Sequence, residues 1–327
     1  MLAAAPVQAE TLRIATYAAP FSRDGPGLLL RDLTRADDPQ IDAAVAVILR
    51  IAPDVLVLTD FDYDLDGLAL NAFAANFADR FPYQFAARPN AGIATGLDLD
   101  GNGRNGEARD ALGYGRFAGD GGIAVLSRHP ILANEVQDFS SLLWRDLPNA
   151  VLPQAEDGPF LPKEVLDVLP VSSTAHWVVP VTTTDGPPFH LMVWDATPPV
   201  FDGPEDMNGL RNRDELRLWA LFLDGAFGPA PANFIVAGNA NLDPAAGDGH
   251  RDAMAAFLAR PDLQDPHAGQ FNADWGADGP GQLRVSYLLP SRSWQVLDAG
   301  TDWPEDAASG DDSPAGPHRL VWVDVSR

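Results

Sequence analysis

Asn233-Phe-Ile-Val-Ala-Gly-Asn-Ala-Asn-Leu-Asp-Pro244 decides how this chain is read. Phe234 to Ala237 is a short apolar run, the pattern of a strand buried on both faces. Gly238 closes it. Asn239 and Asn241 then project at the strand's carboxyl end, where layered α/β folds gather the side chains that meet ligands. Both are amides, without charge and without a carboxylate to accept a proton.

Outward from that corner, strands and helices alternate. On the amino-terminal side, Leu12–Tyr17, Val55–Leu58, Tyr83–Ala87, Ile123–Ser127, Trp177–Val181 and Leu191–Trp194 read as strands. Ile41, Ala44, Val45, Ile48 and Leu49 fall at helical spacing, ending near Ala52-Pro53. Further helices are expected over Leu65–Phe77 and Asn212–Leu223. On the carboxyl side a helix is expected near 251–259, with strands at 284–289, 294–298 and 319–325. The interleaving of many short β runs with helices suits a two-sheet sandwich flanked by helices. The expected organisation is one domain over 11–327, with a Gly- and Asp-rich insertion at 90–122 and a Pro-rich surface insertion at 139–175. The stretches 261–282 and 302–316 read as loops.

Composition narrows the function. The 327 residues carry a formal net charge of −24 and no cysteine. Acidity on that scale argues against generic nucleic-acid binding, which needs a basic surface. The missing cysteines exclude disulfides, thiolate zinc sites and cysteine nucleophiles. Residues 1–10 read either as a signal-peptide remnant, with Val7-Gln-Ala9 as an A-x-A-like site, or as a disordered Ala-rich terminus. The first of these implies a secreted or periplasmic protein. No segment is long and apolar enough to span a membrane as a helix.

Seven pieces in order carry a family resemblance: Arg13-Ile-Ala-Thr-Tyr17, Pro53-Asp-Val-Leu-Val-Leu58, Gly122-Ile-Ala-Val-Leu-Ser-Arg-His-Pro-Ile131, Thr197-Pro-Pro-Val-Phe-Asp-Gly-Pro-Glu-Asp206, Gly238-Asn-Ala-Asn241, Arg284-Val-Ser-Tyr-Leu-Leu-Pro-Ser291 and His318-Arg-Leu-Val-Trp-Val-Asp324. From Leu12 to Val325 the chain resembles the endonuclease/exonuclease/phosphatase family. The resemblance implies an α+β fold, a four-layer α/β/β/α sandwich of two mostly antiparallel sheets. It also implies a divalent metal, magnesium or manganese, and hydrolysis of a phosphoester. Carried over position by position, most of the expected site is substituted. Ala18 stands where an Asn ligand is expected, and Asp60 where a Glu is. Gly121 replaces a phosphate-contacting Tyr, and Asp195 a central-strand His. Asn239 replaces the Asp that handles the attacking water. Ser286 replaces the Asp that orients the last His, and Pro317 the Asp just before it. Asn241 and His318 are retained.

A metal is held by oxygen ligands, chiefly carboxylates, and lowers the pKa of its bound water. Only Asp60 survives as a carried-over carboxylate, and general acid–base help is worth ~100- to 10,000-fold. The expected function is therefore a family member with lost or strongly reduced phosphoester hydrolysis that binds a ligand or protein partner through the old cleft. The alternatives are an active phosphodiesterase or phosphatase on a small phosphoester, with Asp60, Asp62 and Asp195 holding metal in a rearranged site and His318 as acid or base, and a calcium-stabilised extracellular interaction domain. The last rests on Asp98-Leu-Asp-Gly-Asn-Gly-Arg104, where Asp98, Asp100, Asn102 and the Arg104 carbonyl follow the first half of a calcium loop. Its twelfth position is Arg109, with Asp110 one beyond. A Gly/Asp turn that caps its own backbone explains the same residues. The polar stretch from Thr197 to Glu215 reads as proline-fixed turns plus a helix cap, or as a ligand-facing rim. Trp144, Trp177, Trp194 and Trp322 read as core. His129, His176, His190, His250 and His267 have no metal-type spacing and read as solvated or singly hydrogen-bonded.

Overall fold

The structure, a computed structural model, describes residues 10–183, 186–303 and 313–327. The strands are β1 (Thr11–Phe21), β2 (Val55–Phe61), β3 (Tyr83–Phe85), β4 (Gly122–Ser127), β5 (Gln137–Asp138), β6 (Gln154–Ala155), β7 (Gly158–Pro159), β8 (Ala175–Val181), β9 (Phe189–Asp195), β10 (Phe234–Asn239), β11 (Ala273–Asp274), β12 (Gln282–Leu283), β13 (Ser286–Pro290), β14 (Gln295–Thr301) and β15 (Val321–Ser326). The helices are α1 (Leu28–Arg35), α2 (Pro39–Ile51), α3 (Leu68–Ala74), α4 (Lys163–Leu166), α5 (Met207–Leu223) and α6 (Arg251–Leu258). One sheet runs β14-β15-β1-β2-β4-β3 and the other β13-β10-β9-β8-β5. Only β1–β2 and β9–β10 pair in parallel within these two sheets. The expected pair of mostly antiparallel sheets is what forms.

Period-two alternation sorts the side chains into layers. Ile14, Val55, Val57 and Val125 of the first sheet face Trp177, Leu191, Val193, Ile235 and Leu288 of the second, forming the central core. The alternate residues of the first sheet (Ala15, Tyr17, Leu56, Leu58, Leu126) face Ile41, Ala44, Ile48, Leu70 and Phe73 of α2 and α3. Those of the second (Val178, Met192, Trp194, Val236, Leu289) face Leu218, Trp219 and Phe222 of α5 and Met254 of α6. Helix, sheet, sheet, helix is thus the layer order.

Local chemistry fixes several ends. Asp38 caps α2 by accepting from the amides of Gln40 and Ile41, Pro39 sits in its first turn, and Ala52 closes it in the left-handed conformation. The helix expected from Leu65 begins instead at Leu68, because Asp64 turns back to accept from the amides of Leu68 and Ala69. The short α1 lies in a stretch with no sequence expectation. At α5 it is Asp202, not the adjoining Asp206, that accepts from the amides of Asn208 and Gly209.

The stretch 139–175 does not stand off the surface. Trp144, Leu147, Leu161, Val165, Leu169 and Val171 are buried against α5, so the segment completes the outer helical layer. Its prolines and short polar runs hide that role, because the apolar residues recur at no regular period. Residues 1–9 and 304–312, where the terminal reading and most of the acidic-loop reading fall, lie outside the described residues.

Candidate functional site

The carboxyl ends of β1, β2, β9 and β10 open into a cleft of about 560 Å3. Ala18, Asp60, Gly121, Asp195, Asn239, Asn241 and His318 all line it, so seven positions spread over 300 residues meet in one cleft. Ser286 does not: it lies opposite Asn239 in the ladder, 1 % exposed, with its hydroxyl unpartnered. Pro317 is also outside the lining, its carbonyl accepting from the Asp274 amide. Asp62 is turned away; its carboxylate accepts from the amides of Arg23 and Gly121, both at 3.0 Å. It cannot join Asp60 and Asp195 without giving up both bonds.

Each lining residue is aimed by its strand. The β1–β2 register slips between Ala18 and Phe21, and the β2–β4 register slips between Leu58 and Phe61. This bulge holds Asp60 at φ 61 and turns its side chain into the cleft. Gly121 leaves the room: a Cβ there would lie 3.1 Å from Asp60 Oδ1. At the corner, β9 and β10 set Asn239 beside Asp195, and its amide Nδ2 donates to Asp195 Oδ1 at 3.2 Å. Gly238 is required here, since a Cβ would meet the Trp194 carbonyl oxygen at 2.0 Å. Asn241, also left-handed at φ 49, donates to the Ala196 carbonyl at 2.8 Å.

The electrostatics are lopsided. Asp60 is half-buried, and its side chain has no hydrogen bond or ion pair among the described residues. Burial, then the neighbouring Asp62 and Asp120, push its carboxyl up to about 8. Burial and the Asp60 charge hold Asp195 well above the usual carboxylate range. Burial, then Arg319, lowers His318 to about 4, so its ring is neutral at pH 7. The ring packs edge-on against Trp275, centroids 5.2 Å apart, and its Nδ1 has no partner.

Beneath the cleft lies a contrasting set of buried groups on α5. Glu215 accepts from the Ser173 amide (2.6 Å), the Ser173 hydroxyl (2.7 Å) and the Thr197 amide (2.8 Å), tying two cleft walls together. Arg211 donates to the carbonyls of Leu112, Pro170, Val171 and Ser172. Asn212 holds the Thr197 and Ala240 carbonyls, both at 2.7 Å. His176, fully buried, bonds the Ser172 hydroxyl and the Glu215 carbonyl, and burial lowers it to about 3. It and the buried His267 are core histidines, not solvated ones. The 197–215 stretch therefore serves both readings made of it: Thr197 to Phe201 line the cleft, while Arg211, Asn212 and Glu215 support it. Sequence reasoning missed Thr174, Tyr114, Arg116 and Trp275 in the lining, since nothing in their local pattern separates them from other loop residues.

Away from the cleft, Asp98, Asp100 and Asp110 bring carboxylate oxygens within 4.8 Å of one another. Their oxygens also accept from the loop's own amides, including those of Leu99, Asn102, Gly103 and Glu107. Asn102 turns its amide onto Glu107 and Asp100, and Arg109 lies 3.7 Å from Asp100. Asp110, one place beyond the expected twelfth position, is the residue that closes the group.

A sequence model of the endonuclease/exonuclease/phosphatase family matches residues 29–322. Among solved structures, the chain is similar to an endonuclease/exonuclease/phosphatase from Beutenbergia cavernae (TM-score 0.55, 18 % identity, 97 % of this chain and 71 % of that one). It is also similar to sphingomyelinase C from Streptomyces griseocarneus (TM-score 0.52, 17 %, 96 % and 99 %) and to a family protein from Bacteroides thetaiotaomicron (TM-score 0.54, 13 %, 98 % and 98 %). No curated protein matches the chain in sequence. At these identities the neighbours speak for the fold alone.

Proposed function

Because the chain belongs to the endonuclease/exonuclease/phosphatase family, we propose that it keeps that family's cleft but has lost, or strongly reduced, phosphoester hydrolysis, and that it works by binding. The observation that carries this reading is the Asn239 side chain. Its Nδ2 is committed to Asp195 and its Oδ1 accepts from the Asn241 amide at 3.3 Å, so the corner has no base with which to deprotonate water.

The family's metal does not fit these residues. Ala18 offers no oxygen, and Asn241, whose Nδ2 donates to Ala196, offers only an uncharged Oδ1. Among the described residues, no third carboxylate or His joins Asp60 and Asp195 closely enough to complete a ligand group; the acidic triad that does form is the one in the 98–110 loop. No catalytic step is routed through a cleft metal. His318 would be a poor substitute acid or base, neutral and with no carboxylate on its Nδ1 to raise its basicity. A phosphate would also meet the carboxyl of Asp195 where the family is expected to place a His.

Hydrolysis of bis(p-nitrophenyl) phosphate with added magnesium or manganese tests the reading. The expected rate is that of the buffer. Metal-dependent turnover abolished by Asp60→Ala would overturn it in favour of the active phosphoesterase.

A second reading concerns stability, not chemistry. The three converging carboxylates at Asp98, Asp100 and Asp110 favour a weak structural calcium site, which fits a secreted or periplasmic setting where that ion is abundant.

A further inference from the structure

We propose that the cleft takes a primary organic amine, with the ammonium group held by Asp60, Asp195 and Thr174 and an apolar body lying along the opposite wall. The inference rests on the binding reading above and names the chemical class of the ligand.

The lining is acidic and nearly without compensation. It carries Asp60, Asp120, Asp195, Asp243 and Asp248 against a single guanidinium, Arg116, which is itself paired with Asp24. Asp120 and Asp243 are satisfied by the protein: Asp120 accepts from the Ser22 hydroxyl and the Arg116 amide, and Asp243 from the amides of Ala245, Ala246 and Arg284. Asp60 is not satisfied, and Asp195 has a bond on one oxygen alone. A cation entering this cleft stabilises the ionised form of two carboxyls that burial and proximity otherwise hold protonated, and an anion does the reverse.

Thr174 supplies an observation independent of the acids. It is 8 % exposed, lines the cleft, and its hydroxyl has no hydrogen-bond partner among the described residues. Ala175 pairs with Asp195 across the β8–β9 ladder, so Thr174, one residue before it, lies at the same end of the sheet and lines the same cleft. A hydroxyl that lines the cleft without a protein partner is free to pair with whatever enters it. Asp60, the second Asp195 oxygen and Thr174 Oγ1 are three acceptors, and a primary ammonium has three N–H donors.

The remainder of the cleft suits the rest of such a molecule. Pro199, Leu283, Val285 and the Trp275 ring are apolar, and the volume is that of a site for a ligand well beyond ammonium itself. A hydrated divalent ion would leave that wall unused.

The test is calorimetric titration of the full chain with 2-phenylethylamine, with 2-phenylethanol and inorganic phosphate as probes of charge. The amine should bind saturably, with the alcohol and the phosphate at least tenfold weaker. Asp195→Asn should weaken the amine at least tenfold. Thr174→Val, which keeps shape and removes only the hydroxyl, should weaken it several-fold and decides the matter if the first variant does not fold. Alcohol or phosphate binding as tightly as the amine, no amine binding, or an amine affinity unchanged in Thr174→Val overturns the proposal. Phosphodiester hydrolysis on the same preparations separates the two readings. Turnover together with amine binding sinks the loss of activity alone, and neither turnover nor amine binding sinks the amine alone.

Discussion

Two sets of polar groups lie in and under the same cleft, and they are finished to different degrees. Under the cleft, Arg211 and Glu215 spend their hydrogen-bonding capacity on the segments that form the walls. In and behind the cleft, Asp60, the Ser286 hydroxyl and His318 Nδ1 are left without partners. The groups that shape the site are paired, while several side chains at the positions where the family fold is expected to carry its chemistry stand without partners. The two can separate because a wall depends on backbone groups being satisfied, whereas catalysis depends on a few side chains of one type.

The largest expected effect lies in the finished set. Arg211→Met leaves Glu215 buried without its neighbouring cation and the Leu112, Pro170 and Val171 carbonyls without their side-chain donor, Ser172 keeping Asn90. Breaking one side of such a buried network costs about 3–5 kcal/mol. The urea midpoint of the variant should fall accordingly, with the slope unchanged. A loss under about 1 kcal/mol would mean that the walls hold themselves without α5.

Next is restoring the unfinished set. The combined substitutions Ala18→Asn, Asn239→Asp, Ser286→Asp and Pro317→Asp return oxygen ligands and a carboxylate partner for His318. Phosphodiester hydrolysis with magnesium should rise at least ~100-fold above the parent, the lower end of what acid–base help supplies. No gain in a folded variant would show that the walls, too, have drifted from catalytic geometry.

How much of this was legible beforehand follows from the same contrast. The layers were readable because short apolar runs such as Val55–Leu58 and Trp177–Val181 interleave with helically spaced segments such as that from Ile41 to Leu49, and both are local signals. The convergence of Asp60, Asp195, Asn239 and His318 was readable only through the order of the family's pieces. Local sequence did not carry the rest. Trp144 and Val171 pack against α5 from an aperiodic segment, Thr174 matters through an unpaired hydroxyl, and Asp62 is removed from the site by two backbone amides. Each is a fact about partners distant in sequence.

A smaller effect tests the sign of the cleft's electrostatics. Asp60 ionises near 8 when folded and near 4 when unfolded, so between those values the unfolded chain has released a proton that the folded chain retains. Its contribution therefore falls as pH rises from about 4 to about 8. Asp60→Asn, which cannot ionise, should match the parent near pH 4 and become more stable than it by pH 8, by ~1–3 kcal/mol, the cost of an unpaired buried polar group. Melting temperatures of both proteins across that window check it. His176 and His318, lowered to about 3 and about 4, act oppositely below about 6.5, but they do so in both proteins and cancel in the difference. A gap that narrows toward pH 8 would mean that Asp60 has a cation partner in solution.

The smallest expected effect concerns a third acidic group, which differs from the cleft in being closed on itself. Asp98, Asp100 and Asp110 already accept from the loop's amides, so a cation entering between them adds ligation without having to organise the backbone. Asn102, by contrast, would have to give up Glu107 to turn an oxygen inward. That cost, and Arg109 in place of a bidentate Glu, put the site at the weak end of calcium loops. At calcium tenfold above its Kd, the gain is about 1.4 kcal/mol. Adding chelator should lower the melting temperature by a few degrees, and calcium should restore it where magnesium does not. Asp110→Asn should abolish the calcium response at a modest cost to the loop, because the amide oxygen still accepts from Leu99 while the bond from the Glu107 amide is lost. Melting that ignores chelator would reduce the group to a turn that caps its own backbone, and would leave Asp60 and Asp195 in the cleft as acids still open to a partner.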